Sequence, residues 1–221
     1  MGGLGSHIAK LAFHVLALSA AQYGFMHWDS YKRSVIGEEG YVTVADGHLD
    51  LGLVQVYTGD GKGKTTAALG QALRAVGQGL TVYMAQFIKG QETGELLAAK
   101  RLAPDLTIRQ FGLGKFIAGR EPSPEELEMA QAGWAEIARS VDSGEYDIVI
   151  LDEISHAIRV GLIGVEQVLE MLNRRPRQLE VILTGRGMPR DLIEIADLVT
   201  DMVAVKHPYE QGIRVRKGIE F

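Results

Sequence analysis

The chain has 221 residues, 46% hydrophobic and 23% charged, which suits one sizeable domain of an ordinary soluble globule. Its formal charge of −5 offers no basic surface for counterion release, so a nucleic-acid partner is disfavoured. The absence of cysteine excludes a disulfide framework, a thiolate nucleophile and cysteine-ligated zinc, and no uninterrupted apolar run reaches the length of a membrane span.

Residues 1–50 read as an N-terminal extension to a domain at 51–221. The Leu- and Ala-rich run from Ile8 to Ala21 ends in Ser19-Ala20-Ala21, a small-residue pattern found at signal-peptide cleavage sites, but His14 interrupts its apolar centre. An amphipathic helix is the plainer reading, with Ser6 as N-cap and Ile8, Leu11, Ala12, Val15 and Leu16 on one face. His27, Trp28 and Tyr31 read as a packed aromatic cluster, and alternation on either side of Asp46-Gly47 predicts a hairpin leading into the first core strand.

The apolar run from Leu53 to Tyr57 then enters Thr58-Gly59-Asp60-Gly61-Lys62-Gly63-Lys64-Thr65-Thr66, a phosphate-binding loop between a strand and a helix. The glycines let backbone N–H groups curl around an anion, the helix supplies the positive end of its dipole, and Lys64 adds a full charge. The generic pattern has glycine where this chain has Thr58. In the following helix Leu69, Ala72, Leu73 and Val76 mark the expected buried face, and Gly77-Gln78-Gly79 the stop.

Next come a strand from Leu80 to Phe87, a short helix near Leu96 to Leu102, and a strand from Leu106 to Gln110. The glycine-rich segment from Phe111 to Gly119 is too irregular for a regular element and is a candidate active-site loop. A helix follows with an N-cap at Ser123, Pro124 in its first position and Glu126 completing a capping box; Leu127, Ala130, Trp134, Ile137 and Val141 mark its buried stripe. Tyr146 to Leu151 reads as a strand buried on both faces that delivers Asp152-Glu153 to its carboxyl end, where ligands of parallel sheets collect. A helix at Val165 to Arg174, a strand at Leu179 to Leu183, a helix at Arg190 to Ala196 and a strand at Leu198 to Val205 complete the alternation. The expected fold is an α/β three-layer sandwich on a mostly parallel sheet.

A triphosphate carries close to four negative charges near neutral pH, whereas a helix terminus supplies about half a positive charge. Lys62 and Lys64 can flank the phosphates, and Thr65 with Asp152 or Glu153 can hold magnesium, directly or through water. Arg186, in Thr184-Gly185-Arg186-Gly187, stands at the edge of the sheet suited to a phosphate contact, with a solvated loop charge as the alternative reading, while His156 reads as structural. These parts leave two reaction classes open. A water oriented by Glu153 makes an ATPase or a switch of the RecA type, and a bound acceptor makes a transferase.

The order of motifs resembles the ATP:corrinoid adenosyltransferases of the RecA-like P-loop type. The resemblance rests on Thr58 to Ala68, Gln86-Phe87-Ile88-Lys89-Gly90, Val149 to Glu153, Leu183 to Gly187, Ala196 to Thr200, Val205-Lys206-His207-Pro208 and Lys217 to Phe221. That family's loop begins Thr-Gly, which accounts for Thr58. The resemblance implies that the 5′-deoxyadenosyl group of ATP passes to the Co(I) of a reduced corrinoid, with release of triphosphate and with magnesium as cofactor. It further implies ATP contacts from the whole loop, Thr58, Gly59, Asp60, Gly61, Lys62, Gly63, Lys64, Thr65 and Thr66, and from Arg186. Lys62, Lys64, Thr65 and Glu153 would be the catalytic set, with Thr65, Asp152 and Glu153 at the metal. Phe111 and Phe116 are the candidates for apolar residues facing the corrinoid. A homodimer, an electron-donating flavoprotein partner and a cytoplasmic location complete the implied picture.

Overall fold

The computed structural model describes residues 44–45, 48–114 and 120–221, all within one unit that runs from Val44 to Phe221. The expected N-terminal helix, the His27, Trp28 and Tyr31 cluster, and Phe116 lie outside the described residues. The hairpin expected around Asp46-Gly47 is present as an antiparallel pair, β1 (Val44–Ala45) and β2 (His48–Leu49). Its His48 Nδ1 meets Asp147 Oδ1 at 2.7 Å, beneath the amino end of the main sheet.

The main sheet has six strands, β3 (Val54–Thr58), β4 (Val82–Phe87), β5 (Leu106–Phe111), β6 (Ile148–Asp152), β7 (Glu180–Thr184) and β8 (Leu198–Asp201), in the spatial order β5-β4-β6-β7-β3-β8. Every pairing within it is parallel. The central strands β4, β6 and β7 are buried at every position, as their continuous apolar runs require.

Helices cover both faces. On one lie α1 (Lys64–Val76) and α2 (Gly94–Leu102), closing a core around Ala68, Ala72, Met84, Ile150 and Ile182. On the other lie α3 (Pro124–Ser143), α4 (Ile154–Arg159), α5 (Val165–Arg174) and α6 (Arg190–Glu194), packed over Phe87, Ile137, Leu151, Leu172 and Leu183. Each fully buried Leu, Ile or Phe in these layers contributes about 1.5–3 kcal/mol. The result is the expected three-layer α/β sandwich of the RecA-like class, in which one strand, β7, separates the phosphate-loop strand from the strand bearing Asp152. Among the described residues no helix is long and apolar enough to cross a membrane.

Three expectations at the level of elements are corrected. Leu73 and Leu127 are exposed, at 59% and 37%, rather than buried. Small residues take their place, Ala68, Ala72 and Ala75 on α1 and Ala130 and Gly133 on α3, because the helices lie close to their neighbours; a Cβ on Gly133 would strike the ring of Phe111. The last strand ends at Asp201 instead of Val205 and is exposed at all four positions, since it forms the outer edge of the sheet. Helix α4 is an addition to the expected elements, too short at six residues to leave a periodic pattern.

Candidate active site

Successive parallel strands bring Thr58, Phe87, Asp152, Thr184 and Asp201 to one rim, the carboxyl edge of the sheet. From β3 the chain enters the phosphate loop through Gly59 at φ 93° and leaves it through Gly63 at φ 124°, both in the region that favours glycine. Gly63 is the N-cap of α1, whose first turn carries no acidic side chain. The amides of a first helical turn have no intrahelical acceptor, so they and the dipole face the space above the loop. Not every loop amide takes part in that cradle: Gly61 N–H donates to Met202 O at 2.6 Å.

Lys64 is buried at the start of α1, and its ammonium donates to the carbonyls of Gly59 and Gly61, both at 2.7 Å. Burial, and next the charge of Arg186, push its pKa below the usual lysine value. Thr65 Oγ1 donates to Asp152 Oδ1 at 2.8 Å, so the predicted metal pair is in contact. Arg186 stands beside the loop, its Nε 3.6 Å from Asp60 Oδ1. Thr58 Oγ1 accepts from Met188 N–H at 3.3 Å and so ties the Arg186 loop to β3. Ser155 Oγ does the same from α4, donating to Arg186 O at 2.9 Å. Lys62 and Thr66 are exposed, and the Lys62 ammonium pairs with Glu220 Oε1 at 2.8 Å.

Asp152 is 0% exposed. Its Oδ1 accepts from Thr65 and from Thr184 Oγ1 at 2.7 Å, and its Oδ2 from Gln86 Nε2 at 3.2 Å and Lys89 Nζ at 3.0 Å. Lys89 also reaches Glu95 Oε1 at 3.3 Å. Burial works against the charge of Lys89, but Asp152 and Glu95 together hold its pKa above the usual lysine value. Glu153 takes a left-handed backbone, φ 60°, and its N–H donates to Thr184 Oγ1 at 3.0 Å. Burial first, and then the neighbouring Asp152, raise the Glu153 carboxyl above the usual glutamate value.

Lys64, Lys89, Glu153, His156, Arg159 and Arg186 line one cavity of about 430 Å³ with Phe87, Ile88, Gln91 and Gly114. Of the predicted site residues, Lys64, Thr65, Asp152, Glu153 and Arg186 therefore come together. The ring of Phe111 lies elsewhere, 6.3 Å from that of Phe87 and against Gly133 of α3. Lys89, Gln86 and Thr184 join the site without having been singled out as site residues. Their signal in the sequence is their place at the carboxyl ends of β4 and β7, within motifs already read as strand ends.

The oxygen set around Thr65 and Asp152 suits a hard cation. Among the described residues no group of three or more His, Cys, Asp or Glu converges on a metal position.

The family model described as "ATP:corrinoid adenosyltransferase BtuR/CobO/CobP" matches residues 50–221. A protein of Pseudomonas aeruginosa named "Corrinoid adenosyltransferase" is 34% identical over 191 residues, 86% of this chain and 92% of its own length. One of the same name from Escherichia coli is 36% identical over 179 residues, 80% of this chain and 90% of its own. "Corrinoid adenosyltransferase CobA" of Salmonella typhimurium is 35% identical over the same length, with the same coverage. Among solved structures, the flagellar accessory protein FlaH from Methanocaldococcus jannaschii aligns with TM-score 0.48 at 14% identity, over 68% of this chain and 71% of its own. The RadB recombinase aligns with TM-score 0.47 at 16% identity, over 72% and 77%.

Proposed function

Since the chain belongs to the ATP:corrinoid adenosyltransferase family, we propose that it transfers the 5′-deoxyadenosyl group of ATP to the Co(I) centre of a reduced corrinoid. The cobalt's electron pair forms the bond to C5′ as the C5′–O bond to the triphosphate breaks, and the leaving group departs with that bond's electrons. No side chain need act as nucleophile. The protein's part is to bind, orient and stabilise charge.

Charge grows on the departing triphosphate, and the groups above the loop answer it. Lys64 supplies a full charge at the loop, the start of α1 supplies amides, and Arg186, beside Asp60 of the loop, lines the same cavity and adds a second charge. Lys62, within the loop but with an exposed side chain, adds positive field from the solvent side, and the other residues of the loop from Thr58 to Thr66 shape the cradle. Thr65 and Asp152, with Glu153 beside them, would hold a magnesium ion, whose charge supplies further stabilisation of the triphosphate. Phe111, at the end of β5, would support the corrinoid side only indirectly, by packing on Phe87 and Gly133, and Phe116 is the candidate for an apolar residue facing the corrinoid.

The observation that carries this reading is the joint lining of one cavity by Lys64, Glu153 and Arg186 together with apolar Phe87 and Ile88. Polar groups suit the triphosphate and the apolar pair suits a water-poor reacting centre. The same reading includes a homodimer, an electron-donating flavoprotein that keeps the cobalt reduced, and a cytoplasmic location, where reducing conditions favour Co(I).

Anaerobic incubation with Mg-ATP and chemically reduced corrinoid tests the proposal. The expected outcome is one triphosphate for each light-sensitive alkyl-cobalt product. ADP and phosphate formed at the same rate without corrinoid would overturn it, and would make Glu153 the activator of a hydrolytic water.

A further inference from the structure

An ionised carboxylate removed from water needs a counter-charge, and among the four side chains that donate to Asp152 one is charged. Thr65, Thr184 and Gln86 are neutral; Lys89 brings the positive charge and shares it with Glu95. The backbone is strained where it delivers that lysine. Ile88 has φ 66°, and Lys89 N–H donates to Phe87 O at 2.7 Å. That is a γ-turn centred on a β-branched residue in the left-handed region, an arrangement that persists where function requires it.

The four donors differ in freedom. Gln86 and Thr184 stand within strands, and Thr65 stands in the first turn of α1. Lys89 stands past the end of β4, on a long flexible side chain that is 27% exposed and that lines the cavity beside Lys64, Glu153 and Arg186. It can leave Asp152 for a phosphate without breaking any element.

We propose that Lys89 is a resident counter-ion of Asp152. It holds the carboxylate while no divalent cation is bound, keeps the nucleotide-free protein from capturing one, and moves to the triphosphate when cation and nucleotide enter together. The inference rests on Thr65 and Asp152 being the cation site.

Manganese(II), followed by the electron paramagnetic resonance of the free ion, tests this on the full chain. Nucleotide-free Lys89→Met is expected to bind Mn²⁺ at least about tenfold more tightly than wild type, because an ammonium no longer competes at close range. Lys89→Arg, which keeps the charge, is expected to bind it as weakly as wild type. Metal-free ATP is expected to bind Lys89→Met more weakly, since its phosphates would meet uncompensated carboxylates. Equal Mn²⁺ affinity in wild type and Lys89→Met overturns the proposal. Failure of Mn²⁺ to bind either protein even with ATP overturns the cation site beneath it as well. Circular dichroism establishes that the variant is folded, and Lys89→Gln replaces it in the same comparison where it is not.

Discussion

Lys64 shows how much one side chain can carry in this site. Its ammonium is held by two loop carbonyls and faces the same cavity as Arg186 and Glu153, so a phosphate would exchange for those carbonyls with little movement of the chain. Lys64→Met keeps the apolar stem and removes the charge. Hydrogen bonds to a charged group contribute about 1.5–3 kcal/mol, so ATP affinity is expected to fall about 10- to 100-fold by titration calorimetry. An unchanged dissociation constant would refute the phosphate role. Residues of this kind are legible in a sequence because the loop's spacing alone fixes where Lys64 and Thr65 stand relative to an anion. The partnership of Asp152 with Lys89 is not legible that way. The two are 63 positions apart and meet because β4 lies beside β6, with Gln86 in register with Asp152. No local pattern encodes that adjacency.

Among the elements, α3 is the one whose beginning the sequence announces most fully. Ser123 Oγ accepts from Glu126 N–H at 3.3 Å, and Glu126 Oε2 accepts from Ser123 N–H at 2.8 Å, the reciprocal capping box expected from Ser-Pro-Glu-Glu. Arg120 adds two further bonds to the same carboxylate, at 2.8 and 2.7 Å. Arg120 is the main cause of a Glu126 pKa of about 2, well below the usual carboxylate range. A depressed folded-state pKa contributes stability that is complete above the ordinary glutamate range and is lost as pH falls from there towards about 2. Melting temperature followed by circular dichroism is expected to decline over that interval more steeply in wild type than in Glu126→Gln. Parallel curves would remove the assignment. Ser123→Ala is expected to cost about 1 kcal/mol at neutral pH. The helix faces were less legible than the helix ends. Large apolar residues mark a buried stripe by periodicity, but at close contacts the stripe is made of Ala and Gly, which leaves Leu73 and Leu127 outside.

For the molecule as a whole, alternation of strands and helices makes the sandwich legible, while the order of strands across the sheet follows from tertiary packing and is seen in the structure. The edges matter most for assembly. At the β8 edge Leu198 and Val199 are 41% and 43% exposed, and Val203 and Val205, just beyond, are 70% and 87% exposed. An apolar, open strand edge invites pairing with another chain. Sedimentation velocity at micromolar concentration is therefore expected to show the proposed homodimer as the main species, and a purely monomeric boundary would exclude it.

The bond from Gly61 N–H to Met202 O joins the phosphate loop to the residue that follows this same edge, and Met202 N–H in turn donates to Thr58 O at 2.9 Å. Loop and edge thus form a closed mechanical circuit, and a ligand that stiffens one side must damp the other. In hydrogen–deuterium exchange, saturating ATP is expected to slow the amide of Met202 along with those of the loop. The outer rim of the sheet becomes a gauge of whether the loop is filled, readable by a neighbouring protein chain that never touches the nucleotide.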